Sequence, residues 1–231
     1  MTDFGATLFN IATWLVPLAV AIILHEIAHG YVARLCGDHT AQDAGRLSLN
    51  PLRHIDPVGT VVLPMMLALT GAPIFGWARP VPVNEAGLRN PRWHMVLVAL
   101  AGPGSNIVLA LLTGIVMALL TLVYSGHPAG PVVNFAILNL TNFLEINVFL
   151  AVFNMLPIPP FDGSKVLGGV LPPALGTRFR QLDRYGFFIL FGALVVLPLV
   201  APRANLIGRI VVPPVLWVLD LIAAMMTAIT G

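Results

Sequence analysis

The sequence predicts an all-α polytopic membrane protein of about five spanning helices, with one short re-entrant or membrane-embedded segment and a small β-hairpin near the cytoplasmic face. Two observations predict it. Of the 231 residues 58% are hydrophobic and only 10% are charged, against about a quarter charged in an ordinary soluble domain. Apolar runs close to the roughly 20 residues that a bilayer helix needs also recur along the chain, with Pro and Gly in every gap between them. No internal repeat, low-complexity tail or separate soluble unit interrupts this pattern, so residues 1–231 are expected to form a single integral membrane domain.

The elements follow in order. The first span runs from about Leu8 to Leu35. Its Met-Thr-Asp-Phe start has no basic n-region, so residues 1–24 are expected to stay rather than to be cleaved as a signal. The next apolar run, Val58 to Thr70, has 13 residues, a length typical of re-entrant or buried segments. The third and fourth spans cover about His94–Tyr124 and Pro131–Leu156; the fifth lies near Tyr185–Val200 and the last near Ile210–Ile229. Between them, Phe75 to Asn84 reads as extended chain. Pro80 and Pro82 leave two missing N–H groups on one edge, which makes this an edge strand, paired on its other edge in the expected hairpin.

The short second run decides the topology. If it does not cross, Arg46, Arg53, Arg79, Arg89 and Arg92 lie on one side of the membrane, and Lys165, Arg178, Arg180 and Arg184 return to that side. The loop 125–130 lies opposite and has no Lys or Arg. That is a positive-inside pattern with the basic loops cytoplasmic. Arg203 and Arg209 break the pattern. If the run crosses, the basic loops fall on both faces.

Several function classes are disfavoured. The net charge is +2 and no basic stripe is present, so nucleic acid is not an expected partner. Cys36 is the only cysteine, which excludes an intrachain disulfide and a thiolate metal cluster. Its own role is expected to be inert packing.

The residues that carry chemistry are His25-Glu26-Ile-Ala-His29, inside the first span. On a helix the two imidazoles, four apart, share a face and can grip one metal ion, with Glu26 one step round. Three titratable groups in hydrocarbon are expensive to keep, and such residues are usually functional. The competing reading is a pair of buried histidines bonded to neighbouring helices. A catalytic zinc site needs a third protein ligand and an open position. Asp162, just after the fourth span, is the candidate. With the second run re-entrant, the first span ends cytoplasmic beyond His29 and the fourth ends cytoplasmic before Asp162, so the two ends can meet. Gly163 lets the chain turn after the acid. Glu145 is the rival ligand; it lies nearly opposite Asn154 on its helix, and a hydrogen bond to Asn142 is expected for it. Asn147 and Asn154 share a face that either points at the site or serves as interhelical glue.

The pair of motifs His25-Glu26-Ile-Ala-His29 and Asn154-x-x-Pro157-x-x-x-x-Asp162-Gly163 resembles the site-2 protease family of intramembrane zinc metalloproteases. Asn50-Pro-Leu-Arg-His54-Ile-Asp56-Pro57-Val-Gly59-Thr and Ala101-Gly102-Pro103-Gly104-Ser-Asn106 look like its compact branch, without PDZ or CBS domains. The likeness runs from about residue 20 to 170, within an expected catalytic core over about 8–170 that is followed by C-terminal helices over about 185–229. It implies one Zn2+ per chain held by His25, His29 and Asp162, Glu26 as catalytic acid/base, and Asn154 as stabiliser of the reacting carbonyl. It also implies an endopeptidase that cuts within or next to transmembrane segments of other membrane proteins, its partners together with the lipid bilayer. The alternative is a non-proteolytic zinc-binding membrane protein or a metal transporter, but no paired sites or repeated halves support transport.

Four further expectations are testable in the structure. Asp56 and Pro57 should cap and start the following helix. His54 is either part of that turn or a donor beside the metal site. His39, His94 and His127 are expected at the interface. Gly102, Gly104, Ser105 and Asn106 form a small-residue patch that favours close packing, and the family likeness adds that it lets the third span approach the zinc helix.

Overall fold

A computed structural model describes residues 4–62, 65–66, 78–124, 130–201 and 207–231. The described elements are all helical. They are α1 (Phe4–Leu35), α2 (Thr40–Asp43), α3 (Pro91–Tyr124), α4 (Pro131–Asn154), α5 (Asp162–Val170), α6 (Pro173–Arg180), α7 (Gly186–Phe191), α8 (Leu197–Val200) and α9 (Val212–Thr230), with short 3-10 and π turns between some of them. Four helices are long and apolar enough to cross a membrane: Ala12–Leu35, Pro91–Tyr124, Pro131–Asn154 and Gly208–Thr230. The chain is therefore a membrane protein.

Helix α3 is the hub, packing against α1, α4, α5 and α9. Ala110 of α3, Leu144 and Val148 of α4 and Ile222 of α9 form one buried cluster, while Ala33, Cys36, Leu88 and Val98 form another at the end of α1. Each long helix begins or ends on a local signal. Gly37, with φ 112°, closes α1: its N–H donates to Arg34 and the Asp38 N–H to Ala33, which is a Schellman motif. Pro91 and Pro131 sit at the starts of α3 and α4, where a missing N–H costs nothing. Pro17 and Pro103 lie inside spans, as neighbouring helices in a bilayer allow.

Two expectations about the architecture change. The fifth span, expected at Tyr185–Val200, is helical through α7, a π turn and α8, from Gly186 to Val200. At a rise of 1.5 Å per residue this stretch covers only about 22 Å, short of the roughly 30 Å hydrocarbon core. The β-hairpin is also missing: among the described residues there is no strand, and 78–84 run as irregular chain. Its N–H groups go elsewhere, Arg79 to the His54 carbonyl at 2.8 Å and Asn84 to Asp38 at 2.7 Å. The rest of the proposed hairpin, residues 75–77, lies outside the described residues, as does most of the expected re-entrant run. Only Pro57–Val62, a π turn, and residues 65–66 are described there. The start of that run is as expected: Asp56 accepts the N–H groups of Val58 and Gly59 at 3.0 and 2.7 Å.

Candidate metal centre

Helix α1 delivers His25 and His29 to one face, and both are buried. Helix α3 supplies the space beside them. A Cβ on Gly102 would lie 2.4 Å from His29 Nε2 and 2.6 Å from His25 Cε1, so only glycine lets α3 come this close. Asp162 enters from the first turn of α5. Its position depends on the chain folding back after α4, and Gly163 makes that possible: a Cβ there would lie 2.2 Å from the Met155 carbonyl oxygen. The need for glycine is thus one of space; Gly163 does not take a positive φ. At the far end of α5, Arg92 of α3 donates to the carbonyls of Gly169 and Leu171 at 2.8 and 2.9 Å. A cation there complements the negative helix end and pins α5 to the hub.

The result is a compact triad. His25 Nε2 and His29 Nε2 are 3.0 Å apart, and they lie 3.3 and 3.1 Å from Asp162 Oδ2. A tetrahedral ion with bonds of about 2.0–2.1 Å sets its ligands about 3.3 Å apart, so these spacings fit one. The donor set fits as well. His29 Nδ1 lies 2.7 Å from the Val98 carbonyl, which can only accept, so Nδ1 carries the hydrogen and a neutral His29 turns a lone pair at Nε2 inward. Three inward acceptors at these distances call for a cation. Lys165 Nζ lies 3.2 Å from the other Asp162 oxygen.

Glu26 lies on the same turn, half-buried. Its Oε2 accepts the Val81 N–H at 2.8 Å. The segment 78–84 is therefore a strap drawn over α1. Val81 is buried against Gly30, where a Cβ would come within 2.8 Å of it. Arg46, itself buried, donates to the carbonyls of Arg79 and Pro80. Burial first, then the Arg79 charge, lower the pKa of Arg46, and Glu26 opposes this. Asp38, beyond the span, accepts from the Thr40 hydroxyl and N–H at 2.5 and 3.0 Å and from the Asn84 N–H. Burial would raise the Asp38 pKa, but these bonds and nearby His39 outweigh it and lower it.

The chain is 39% identical over 184 residues to YwhC of Bacillus subtilis, covering 80% of each chain. It is 32% identical over 202 residues to Rip2 of Mycolicibacterium smegmatis, covering 87% of this chain and 70% of that protein. It is 35% identical over 187 residues to Rip2 of Mycobacterium tuberculosis, covering 80% and 66%. Each relative bears the name "Putative zinc metalloprotease". The chain belongs to this zinc metalloprotease family. No family model matches it, and no solved structure does.

Other predicted residues of the metalloprotease fall as follows. Asn154 ends α4 and donates from Nδ2 to the Leu150 carbonyl at 3.0 Å. The bond expected between Glu145 and Asn142 does not form: Asn142 donates instead to the Thr13 carbonyl of α1 at 2.7 Å, and Glu145 is exposed. Glu145 therefore sits outside the triad, among the described residues the one group of such side chains spaced to hold a metal. His54 is buried in the loop, with Nε2 2.7 Å from the Ser48 carbonyl. His94 accepts the Asn90 N–H at the start of α3, His39 precedes α2, and His127 lies outside the described residues. Cys36 is buried in the core. Sequence reasoning missed the role of Asn106. The sequence places it among the small residues of α3, yet its Oδ1 lies 2.6 Å from His25 Nδ1. Its polar amide within an apolar span was the available signal.

Proposed function

We propose that this metalloprotease is an intramembrane zinc endopeptidase of the site-2 protease type, which hydrolyses peptide bonds within or next to transmembrane segments of substrate proteins. The observation that carries the reading is the convergence of His25, His29 and Asp162 beside Glu26 on a helix long and apolar enough to span the membrane. The three hold the Zn2+ cofactor. When bound, Zn2+ brings the pKa of a water towards 7 and polarises a carbonyl.

The chain's own residues supply the remaining work. Glu26 takes the proton from the attacking water through its free oxygen, Oε1, while the Val81 N–H holds Oε2. It then returns that proton to the leaving amine, so the carboxylate ends as it began. Asn154 keeps one amide hydrogen beyond its bond to Leu150, a donor suited to the reacting carbonyl oxygen. The positive-inside pattern of the basic loops supports a plasma-membrane protein with this site towards the cytoplasm. The single unit 1–231, with its catalytic core over about 8–170, carries every residue used.

Glu26→Gln tests the assignment. Zinc content should stay at the wild-type level while cleavage of a model transmembrane substrate in detergent or proteoliposomes is abolished. A variant that still cleaves removes Glu26 from its role.

A further inference from the structure

Behind His25 lies a chain of amides that the reaction above does not use. Asn106 is fully buried on α3 and Asn147 fully buried on α4. Asn147 Nδ2 donates to the Phe143 carbonyl at 2.7 Å. A carbonyl only accepts, so this bond fixes which end of the Asn147 amide points where, and Oδ1 faces Asn106. Asn106 Nδ2 donates to that oxygen at 2.7 Å. The Asn106 amide is then fixed too, and its Oδ1 faces His25 Nδ1 at 2.6 Å. An oxygen there requires a hydrogen on Nδ1, which leaves a neutral His25 with its lone pair at Nε2, the atom turned to His29 and Asp162.

We propose that Asn106 is a positioning residue for the metal centre: with its orientation locked by Asn147, it holds His25 in the Nδ1–H form and aims Nε2 at the metal. His29 gets the same service from the backbone carbonyl of Val98. The carbonyl's polarity is built into α3, whereas a lone Asn106 amide could turn over. Turned over, it would present N–H groups to Nδ1 and favour the tautomer with hydrogen on Nε2, which cannot bind a metal through that atom. Asn147 removes that choice. The proposal rests on the reading of His25, His29 and Asp162 as zinc ligands.

The test measures zinc affinity of the full-length chain in detergent by competition with a chromophoric chelator, with Co2+ absorption as a second readout. Asn106→Leu keeps the volume and removes the acceptor; Asn106→Asp keeps the acceptor and adds a buried charge. If Asn106 served packing alone, the leucine would be the milder change. The expected order is the reverse: Asn106→Leu weakens zinc about 10–100-fold, and Asn106→Asp stays within a few-fold of wild type. Asn147→Leu should fall between. Asn106→Leu/Asn147→Leu should be no weaker than Asn106→Leu, because the lock has nothing left to orient. Wild-type affinity in Asn106→Leu, an aspartate variant as weak as the leucine one, or multiplying losses in the double variant overturns the proposal. His29→Ala and Asp162→Ala separate it from its foundation. If neither lowers zinc binding, the ligand assignment fails and this inference with it; if both do while Asn106→Leu does not, only this inference fails.

Discussion

Replacing Gly102 with alanine should cripple the metal site while leaving the helices folded. The added methyl would stand 2.4 Å from His29 Nε2 and 2.6 Å from the Cε1 atoms of His25 and His29. Ordinary carbon contacts lie at about 3.5–4.0 Å, so the rings or the helix must retreat by about 1 Å. Metal bonds tolerate about 0.2 Å, and here two ligands move together. Zinc affinity should therefore fall at least as far as the about 10–100-fold that follows loss of one supporting contact. The cost to the fold is smaller. Overpacking costs about 1–3 kcal/mol, and alanine recovers up to about 1 kcal/mol of helix propensity. Gly104→Ala is the matched control: two residues along the same helix, its Cβ would meet nothing within 4 Å. Zinc per chain, chelator competition and thermal unfolding on both purified variants give the comparison. Wild-type zinc affinity in Gly102→Ala would mean that α3 does not abut the histidines, and would refute the reasoning.

Two further outcomes follow from the strap. Val81→Pro deletes the N–H that holds Glu26, and it should keep its zinc while kcat/KM drops about 10–100-fold, as expected when a catalytic group loses its alignment; equal losses of zinc and cleavage would show that the change merely disrupts the fold. Asp38→Ala strands three donors, from Thr40 and Asn84, and should cost about 1–3 kcal/mol at pH 7. The folded Asp38 pKa is lowered, so its contribution is complete above the unfolded value of about 3.9 and fades as pH falls below it. Thermal unfolding at pH 7 and near pH 3 should show the wild-type advantage shrinking, and a gap that widens towards acid would refute the sign.

What the sequence revealed of the site, and what it hid, follows one physical division. The pairing of His25 with His29 was legible because a helix converts a spacing of four into a shared face. Asp162 was legible because the order of spans brings two distant chain ends to one side. Both are properties of a single helix or of its connectivity. Asn106 was not legible as a partner of His25, because the two lie on different helices and the face that α3 turns to α1 is set by packing at Gly102. The same small-residue patch shows the limit: Gly102 meets the histidines and Gly104 meets nothing, though sequence alone treats them alike. Asn142 and Glu145 failed similarly, since an available backbone carbonyl on α1 drew Asn142 away.

The strap is the most instructive case. Pro80 and Pro82 remove two N–H groups from one edge of the expected strand, and the Val81 N–H between them belongs to the other edge, the one expected to pair in the hairpin. The structure spends that donor on Glu26. Proline placement tells which N–H groups a segment lacks, but the destination of those it keeps is a tertiary question. Here the two prolines leave a single N–H in three residues, and Arg46 grips the carbonyls just before it. The segment is thus poorly suited to a sheet and well suited to presenting one donor at a fixed place. Strand addition at Val81 would have to take that N–H from Glu26, so a substrate bound there would release the very carboxylate that the proposed reaction uses.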